Sequence, residues 1–371
     1  MRLVVFGLAV SSSWGNGHAT LWRGLIGALT RLGHEVVFFE RDVPYYAETR
    51  DLTRLPDGAE LVLYPDWWSV LPRARAEVAR ADAVMVTSFC PDGPLASELA
   101  WTEAKGLTVF YDMDTPVTLR RLEGGERVDF LPPEGLGDFD LVLSYTGGMA
   151  LDLLRTRLSA RRVAPLYGHV DPAAHRPGSP DPAFRGDLSY LGTYAADRQA
   201  ALETLFIDPA RQRPGLRFVL AGANYPPDFP WTDNIYFVKH LPPPDHPAFF
   251  ASSRLTLNVT REAMASMGWC PSGRLFEAAA CGIPVLSDAW EGLGDFFTPG
   301  EEILTARTTA DAIAALELPD AELARIARAA RDRTLSEHSS DVRAAELVDL
   351  LGGDGRRRAT SQPEGTVACG E

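Results

Sequence analysis

The sequence predicts an α/β protein made of two doubly wound, parallel-sheet domains facing each other across a central cleft. Three observations carry this. Short apolar runs alternate with helical stretches from the first residues onward, and such alternation builds a parallel sheet covered on both faces. The alternation pauses in a passage rich in Pro and Gly, with Pro165, Pro172, Pro177, Pro180 and Pro182, and then restarts, as expected of a hinge. A chain of 371 residues with 46% hydrophobic content can fill two such cores.

In the first domain, residues 1–165, candidate strands lie at 3–8, 35–39, 60–64, 83–87, 107–111 and 141–144. Helical patterns lie between most of them, at 19–32, 71–80, 95–104 and 148–157. Residues 166–186 read as the hinge. The second domain, 187–351, has candidate strands at 188–191, 217–221, 235–238, 254–259 and 284–287. It ends in closing helices at 325–333 and 340–351, rich in Ala, Leu, Arg and Glu. Residues 352–371 are rich in Gly, Arg, Ser and Pro and are expected to form a disordered tail.

The formal charge of −14 argues against nucleic acid or an anionic membrane as the main partner. Lys105 and Lys239 are the only lysines, which reads as composition bias. Cys90, Cys270, Cys281 and Cys369 have neither metal nor disulfide spacing, so a reducing, cytoplasmic setting is expected. No signal peptide and no integral membrane segment are legible.

The richest stretch is 271–288. Ser272 is a good N-cap, Gly282 sits where a helix stops in a left-handed residue, and Pro284 keeps it from resuming. Arg274 and Glu277, three apart, project from one face. The amides at Ser272–Gly273 attract an anion, and Arg274 adds a forked cation. Glu277 offers two acceptor oxygens one turn deeper, suited to a vicinal diol. Together these describe the shape of a nucleotide diphosphate and its ribose. In the loop before residue 19, Gly15 and Gly17 let backbone approach a ligand. The third glycine of the dinucleotide fingerprint is missing there, although Glu40 could mimic that fold's ribose-binding acid and so keeps a dehydrogenase open. His18 can take a proton near neutral pH.

The stretch 271–288 resembles the C-terminal, donor-binding half of group-1 GT-B glycosyltransferases. There a glutamate followed by small residues and Gly-x-Pro-Val grips the ribose of the sugar nucleotide; Glu277, Ala278, Gly282, Pro284 and Val285 match. The loop Ser11–His18 resembles the N-terminal loop of these enzymes. In some inverting members a histidine just after it is the general base, a role this implies for His18. Residues 188–198 resemble the point where an Arg and a Lys neutralise the diphosphate; no Lys is present, and Arg198 is the candidate. Residues 234–241 resemble the strand whose following loop stacks on the base, which makes Lys239, His240 and Leu241 base neighbours. The usual first glutamate, eight residues before the ribose glutamate, is Trp269 here, so the paired-glutamate motif is broken. Arg261 or Glu262 could contact the sugar instead.

Asp112-x-Asp114 has the form of the metal signature of the other glycosyltransferase fold, GT-A. Because it falls in the first domain, both aspartates are expected to face the cleft and hold acceptor hydroxyls rather than a metal. Asp114 before Thr115–Pro116 also fits a turn cap. The whole arrangement looks closest to the CgeB-like branch, over most of residues 1–310. The resemblance implies GT-B architecture, with two Rossmann-like domains, and a metal-independent glycosyltransferase. Its donor would be a nucleotide-diphosphate sugar and its acceptor is not identified. A sugar-nucleotide epimerase, or a non-catalytic relic that binds a nucleotide sugar or a partner protein, stays open because of the broken glutamate pair and the missing lysine. Nothing in the sequence sets the oligomeric state.

Overall fold

The computed structural model describes residues 1–359, with side chains described through residue 352. The first sheet contains β1 (Arg2–Gly7), β2 (Glu35–Arg41), β3 (Ala59–Tyr64), β4 (Ala83–Thr87), β5 (Leu107–Asp112), β6 (Leu141–Ser144) and β7 (Val163–Pro165). They are all parallel, in the order β3-β2-β1-β4-β5-β6-β7. The second sheet contains β8 (Gly186–Leu191), β9 (Phe218–Gly222), β10 (Ile235–Lys239), β11 (Ser253–Asn258), β12 (Val285–Asp288) and β13 (Leu304–Ala306). It is also parallel, in the order β10-β9-β8-β11-β12-β13. Covered on both faces, the central strands are apolar almost throughout: Val4, Val5 and Phe6 in β1 and Val84, Met85 and Val86 in β4 are fully buried. Strand order reverses at β1/β4 and at β8/β11, and crevices for ligands open beyond the carboxyl ends at such points.

The short edge strands β7 and β13 were not anticipated, because three residues carry no readable pattern. The helix Thr115–Glu123 was also not anticipated; Thr115–Pro116 fits a turn, but Pro116 sits in the first helical turn, where its missing N–H costs nothing.

The domain boundary differs from the expected one. In the helix Ser340–Ala359, Ala344, Leu347 and Leu351 share a core with Trp22, Leu25, Ile26 and Leu29 of the helix Gly17–Arg31. The last helix therefore packs on the first domain, not the second, because its apolar stripe fits the stripe left open on that helix. The chain crosses between domains twice, and the crossings pair: Val170 N–H donates to His338 O at 3.0 Å, and Ser340 N–H to Val170 O at 2.7 Å. The helix also runs through 352–359, the first part of the expected tail; residues 360–371 lie outside the described residues. Among the described residues, no helix is long and apolar enough to cross a membrane.

Candidate active site

The helix Gly273–Ala280 begins as its sequence demands. Ser272 has extended backbone and its side chain accepts from Arg274 N–H. Gly282 just past the end has φ of 80°, a left-handed conformation that suits glycine. The helix buries Leu275, Phe276 and Ala278–Ala280, which turns Arg274 and Glu277 together toward the cleft. The Arg274 guanidinium bonds the Glu277 carboxylate.

Two buried histidines stand behind this pair. His246 Nε2 lies 3.3 Å from Leu241 O, so it carries the hydrogen, because a carbonyl only accepts. His246 Nδ1 is then an acceptor, 3.0 Å from His175 Nε2 and 3.4 Å from Arg274 Nη1. Burial lowers the pKa of both histidines, and for His246 the Arg274 charge lowers it further. Both rings are neutral near pH 7. Glu277 Oε2 is 3.8 Å from each. Among the described residues, His175, His246 and Glu277 form the one group with ligand atoms close enough for a metal ion. A metal there would compete with the Arg274 guanidinium for the same carboxylate.

The facing wall comes from the loop after β1. Asn16 Oδ1 accepts from His18 N–H at 3.1 Å and caps the helix Gly17–Arg31, while Asn16 Nδ2 donates to Ala9 O and Ser12 O. Gly15 adopts φ of 60°. Glu40 is fully buried and accepts from Val10 N–H at 2.7 Å and Ser11 N–H at 2.9 Å. It fixes this loop and is not free to hold a ribose, so the dinucleotide reading loses its acid.

His18 Nε2 is 2.8 Å from Asp114 Oδ2, and His18 Nδ1 is left buried without a partner. Asp114 Oδ2 is therefore taken by the histidine. Asp112 does not face the cleft as expected. It is fully buried, and its Oδ1 accepts from Asp114 N–H at 3.0 Å. Burial raises its pKa to about 7. It ends a central strand, where the pleat turns it inward, and it holds the turn that presents Asp114.

The two walls line one cavity of about 340 Å³. Gly15, Gly17, His18 and Asp114 come from the first domain; Arg198, Ser272, Gly273, Arg274 and Glu277 come from the second. His240 lines an adjoining recess with Gly15, Gly17 and Arg274. Its ring lies 4.1 Å from that of Trp14 across the cleft, and burial lowers its pKa. Lys239, expected beside it, is exposed at the end of edge strand β10 and lines neither space. Strand alternation sends neighbouring side chains opposite ways. Arg198 Nη1 donates to Thr193 O at 3.0 Å. Arg261 is paired with Asp197 at 3.0 Å, and Glu262 reaches Arg120 of the first domain at 3.7 Å.

Trp269 has a structural task where the paired motif would have a glutamate. Its φ is 41°, its Nε1–H donates to Asp295 Oδ2 at 2.6 Å, and its carbonyl accepts from Gly147 N–H. A Cβ on Gly148 or Gly292 would come within 2.5 Å of its ring. The indole is wedged between glycines of both domains. His175, His246 and the role of Trp14 were missed, because nothing local marks isolated histidines or a loop tryptophan that meet only in space.

Residues 198–349 match a family model described as glycosyl transferase-like. Comparison with curated proteins finds no match. Among solved structures the chain is similar to sucrose-phosphate synthase from Thermosynechococcus elongatus, with 14% identity, 98% and 100% of the two chains covered and a TM-score of 0.70. It is similar to Anabaena Alr3699/HepE in complex with UDP-glucose, with 12% identity, 95% and 100% covered and a TM-score of 0.66. It is also similar to an alpha,alpha-trehalose 6-phosphate synthase from Burkholderia multivorans, with 14% identity, 99% of each covered and a TM-score of 0.64. At such identities the likeness is one of fold. The chain has the GT-B fold of two parallel-sheet domains, and its match to the glycosyl transferase-like family model lies in the second of them.

Proposed function

We propose that this protein transfers a sugar from a nucleotide-diphosphate sugar to an acceptor hydroxyl, without a metal ion. The first domain receives the acceptor and the second binds the donor; the paired crossings act as the hinge. Glu277 accepts from the ribose hydroxyls once Arg274 turns to the diphosphate. Arg274, Arg198 and the amides at Ser272–Gly273 stabilise the charge on the departing diphosphate; removing one such group commonly costs about 10²–10³ in rate. His240 neighbours the base. Asp114 holds His18 Nε2–H, so Nδ1 is the basic nitrogen; it is enclosed in this structure and meets the acceptor once the cleft rearranges around its substrates. It takes the acceptor proton as the hydroxyl oxygen bonds to the anomeric carbon and the bond to the diphosphate oxygen breaks. This is an inverting displacement. The two aspartates support a metal-free reaction, since one is sequestered and the other is bound to His18.

Membership of the CgeB-like branch and a cytoplasmic setting belong to the same proposal. The latter is supported by the free, buried thiols of Cys90, Cys270 and Cys281. The observation that carries the reading is the meeting of the His18–Asp114 pair with the Arg274–Glu277 helix start in one cavity. A site for a base opposite the donor grip also favours transfer over epimerisation of the donor alone. Calorimetry with UDP, GDP, dTDP and their common sugars tests it, with Glu277→Ala alongside. Binding by the wild type that is lost in the variant is expected. A wild type that binds no nucleotide overturns the reading.

A further inference from the structure

The wall around the His18–Asp114 pair is apolar. Leu21 lies three residues after His18 and therefore on the same helical face; it is half-buried and lines the cavity. Met113 precedes Asp114, and Tyr145 and Cys270 are buried beside it, while half-buried Met264 closes the wall from the second domain. Leu21 also reaches the start of the candidate donor helix: a Cβ on Gly273 would sit 3.8 Å from Leu21 Cδ2 and 3.9 Å from Tyr145 Oη. The apolar wall thus lies where an acceptor must sit, between the base and the diphosphate grip.

Several of the polar side chains nearby are already engaged. Asp114 is bonded to His18, Arg261 to Asp197 and Glu277 to Arg274. Asn258 Nδ2 donates to Ser287 Oγ at 3.0 Å, and Thr260 Oγ1 to Asp288 Oδ1 at 3.0 Å. A sugar acceptor would bring several hydroxyls into this space. Each one desolvated without a partner weakens binding by about tenfold. A phosphorylated acceptor would need a cation besides the two that the diphosphate takes.

We infer that the acceptor is a small, mostly apolar molecule presenting one reactive hydroxyl, such as a phenol or a hydroxylated ring system, and not a sugar or sugar phosphate. The inference rests on the transferase reading above. Two methionines in the wall suit it to more than one ring shape, because their side chains repack readily.

The test uses the full chain with whichever nucleotide sugar calorimetry shows to bind. The probes are 4-methylumbelliferone and 2-naphthol against glucose and fructose 6-phosphate, with products read by mass spectrometry. We expect kcat/KM for the phenols to exceed that for either sugar by at least about tenfold. Leu21→Asn and Met264→Gln, both uncharged, should each raise the phenol KM severalfold while nucleotide affinity, which reports correct folding, stays within about twofold. A sugar or sugar phosphate preferred over both phenols overturns the inference. So does a donor that is bound and hydrolysed while neither phenol is glycosylated, and that outcome leaves the transferase reading standing. Absence of nucleotide binding removes the transferase reading and this one with it.

Discussion

Replacing Asp114 with asparagine probes the proposed chemistry most directly. The substitution keeps the shape of the side chain and removes its charge. In the wild type His18 Nε2 and Asp114 Oδ2 are 2.8 Å apart, with side chains 16% and 17% exposed. Once His18 has taken the acceptor proton, that carboxylate faces an imidazolium. At an effective dielectric of about 20, the attraction at this distance is about 6 kcal/mol, which sets an upper limit of about 10⁴ in rate. Asparagine can also turn its amide N–H toward Nε2. That would move the ring hydrogen to Nδ1 and remove the base, a change that costs comparable histidine–aspartate pairs about 10⁴. We expect kcat to fall by about 10²–10⁴ with nucleotide affinity unchanged within about twofold, since Asp114 is proposed to meet no part of the nucleotide. Release of nucleoside diphosphate followed in a coupled assay, together with calorimetry, measures both. A kcat within about threefold of wild type would refute the assignment of His18 as base.

Other substitutions test the supporting structure. Asp112 has its pKa raised from 3.8 to about 7 by burial. Between those values the folded state holds a proton that the unfolded state lacks, so stability falls as pH rises from about 4 to 7. Asp112→Asn should therefore gain stability relative to wild type across that window, read as a growing difference in Tm; a constant difference would contradict the burial argument. His246→Leu leaves His175 Nε2–H and Arg274 without their shared acceptor, and should cost about 1–3 kcal/mol in chemical denaturation. Because burial holds both histidines below the ordinary 6.5, wild-type stability contributed by their neutral forms is lost as pH falls below 6.5. That acid loss should shrink in the variant. Trp269→Glu restores the residue of the paired motif but removes the indole wedge. Destabilisation of about 2–3 kcal/mol without a gain in kcat is expected, and faster turnover would show that the glutamate position is still catalytic.

Much of the fold was written locally. The strands at 83–87 and 141–144 were legible to the residue, because parallel strands buried on both faces must be apolar runs. The N-cap at Ser272 and the left-handed stop at Gly282 were legible for the same local reason: each residue serves its own backbone. The spacing of Arg274 and Glu277 placed them on one helical face before any tertiary contact was known.

What the sequence could not supply were relations between distant segments. His18 and Asp114 were each singled out, but their pairing across 96 residues depends on how β1 and β5 lie about β4. Asp112 and Asp114 look equivalent in a row of letters. The end of a central strand buries one and lets the turn project the other. The histidine pair behind Arg274, the tryptophan wedged between two domains and the return of the last helix to the first core all join residues far apart in the chain. By itself the sequence determined most of the strands and helices and the caps at Ser272 and Gly282, since those follow from local backbone chemistry. Only the tertiary structure decided which side chains are buried, paired or left to act, because burial and pairing belong to the packing of elements and not to any one of them.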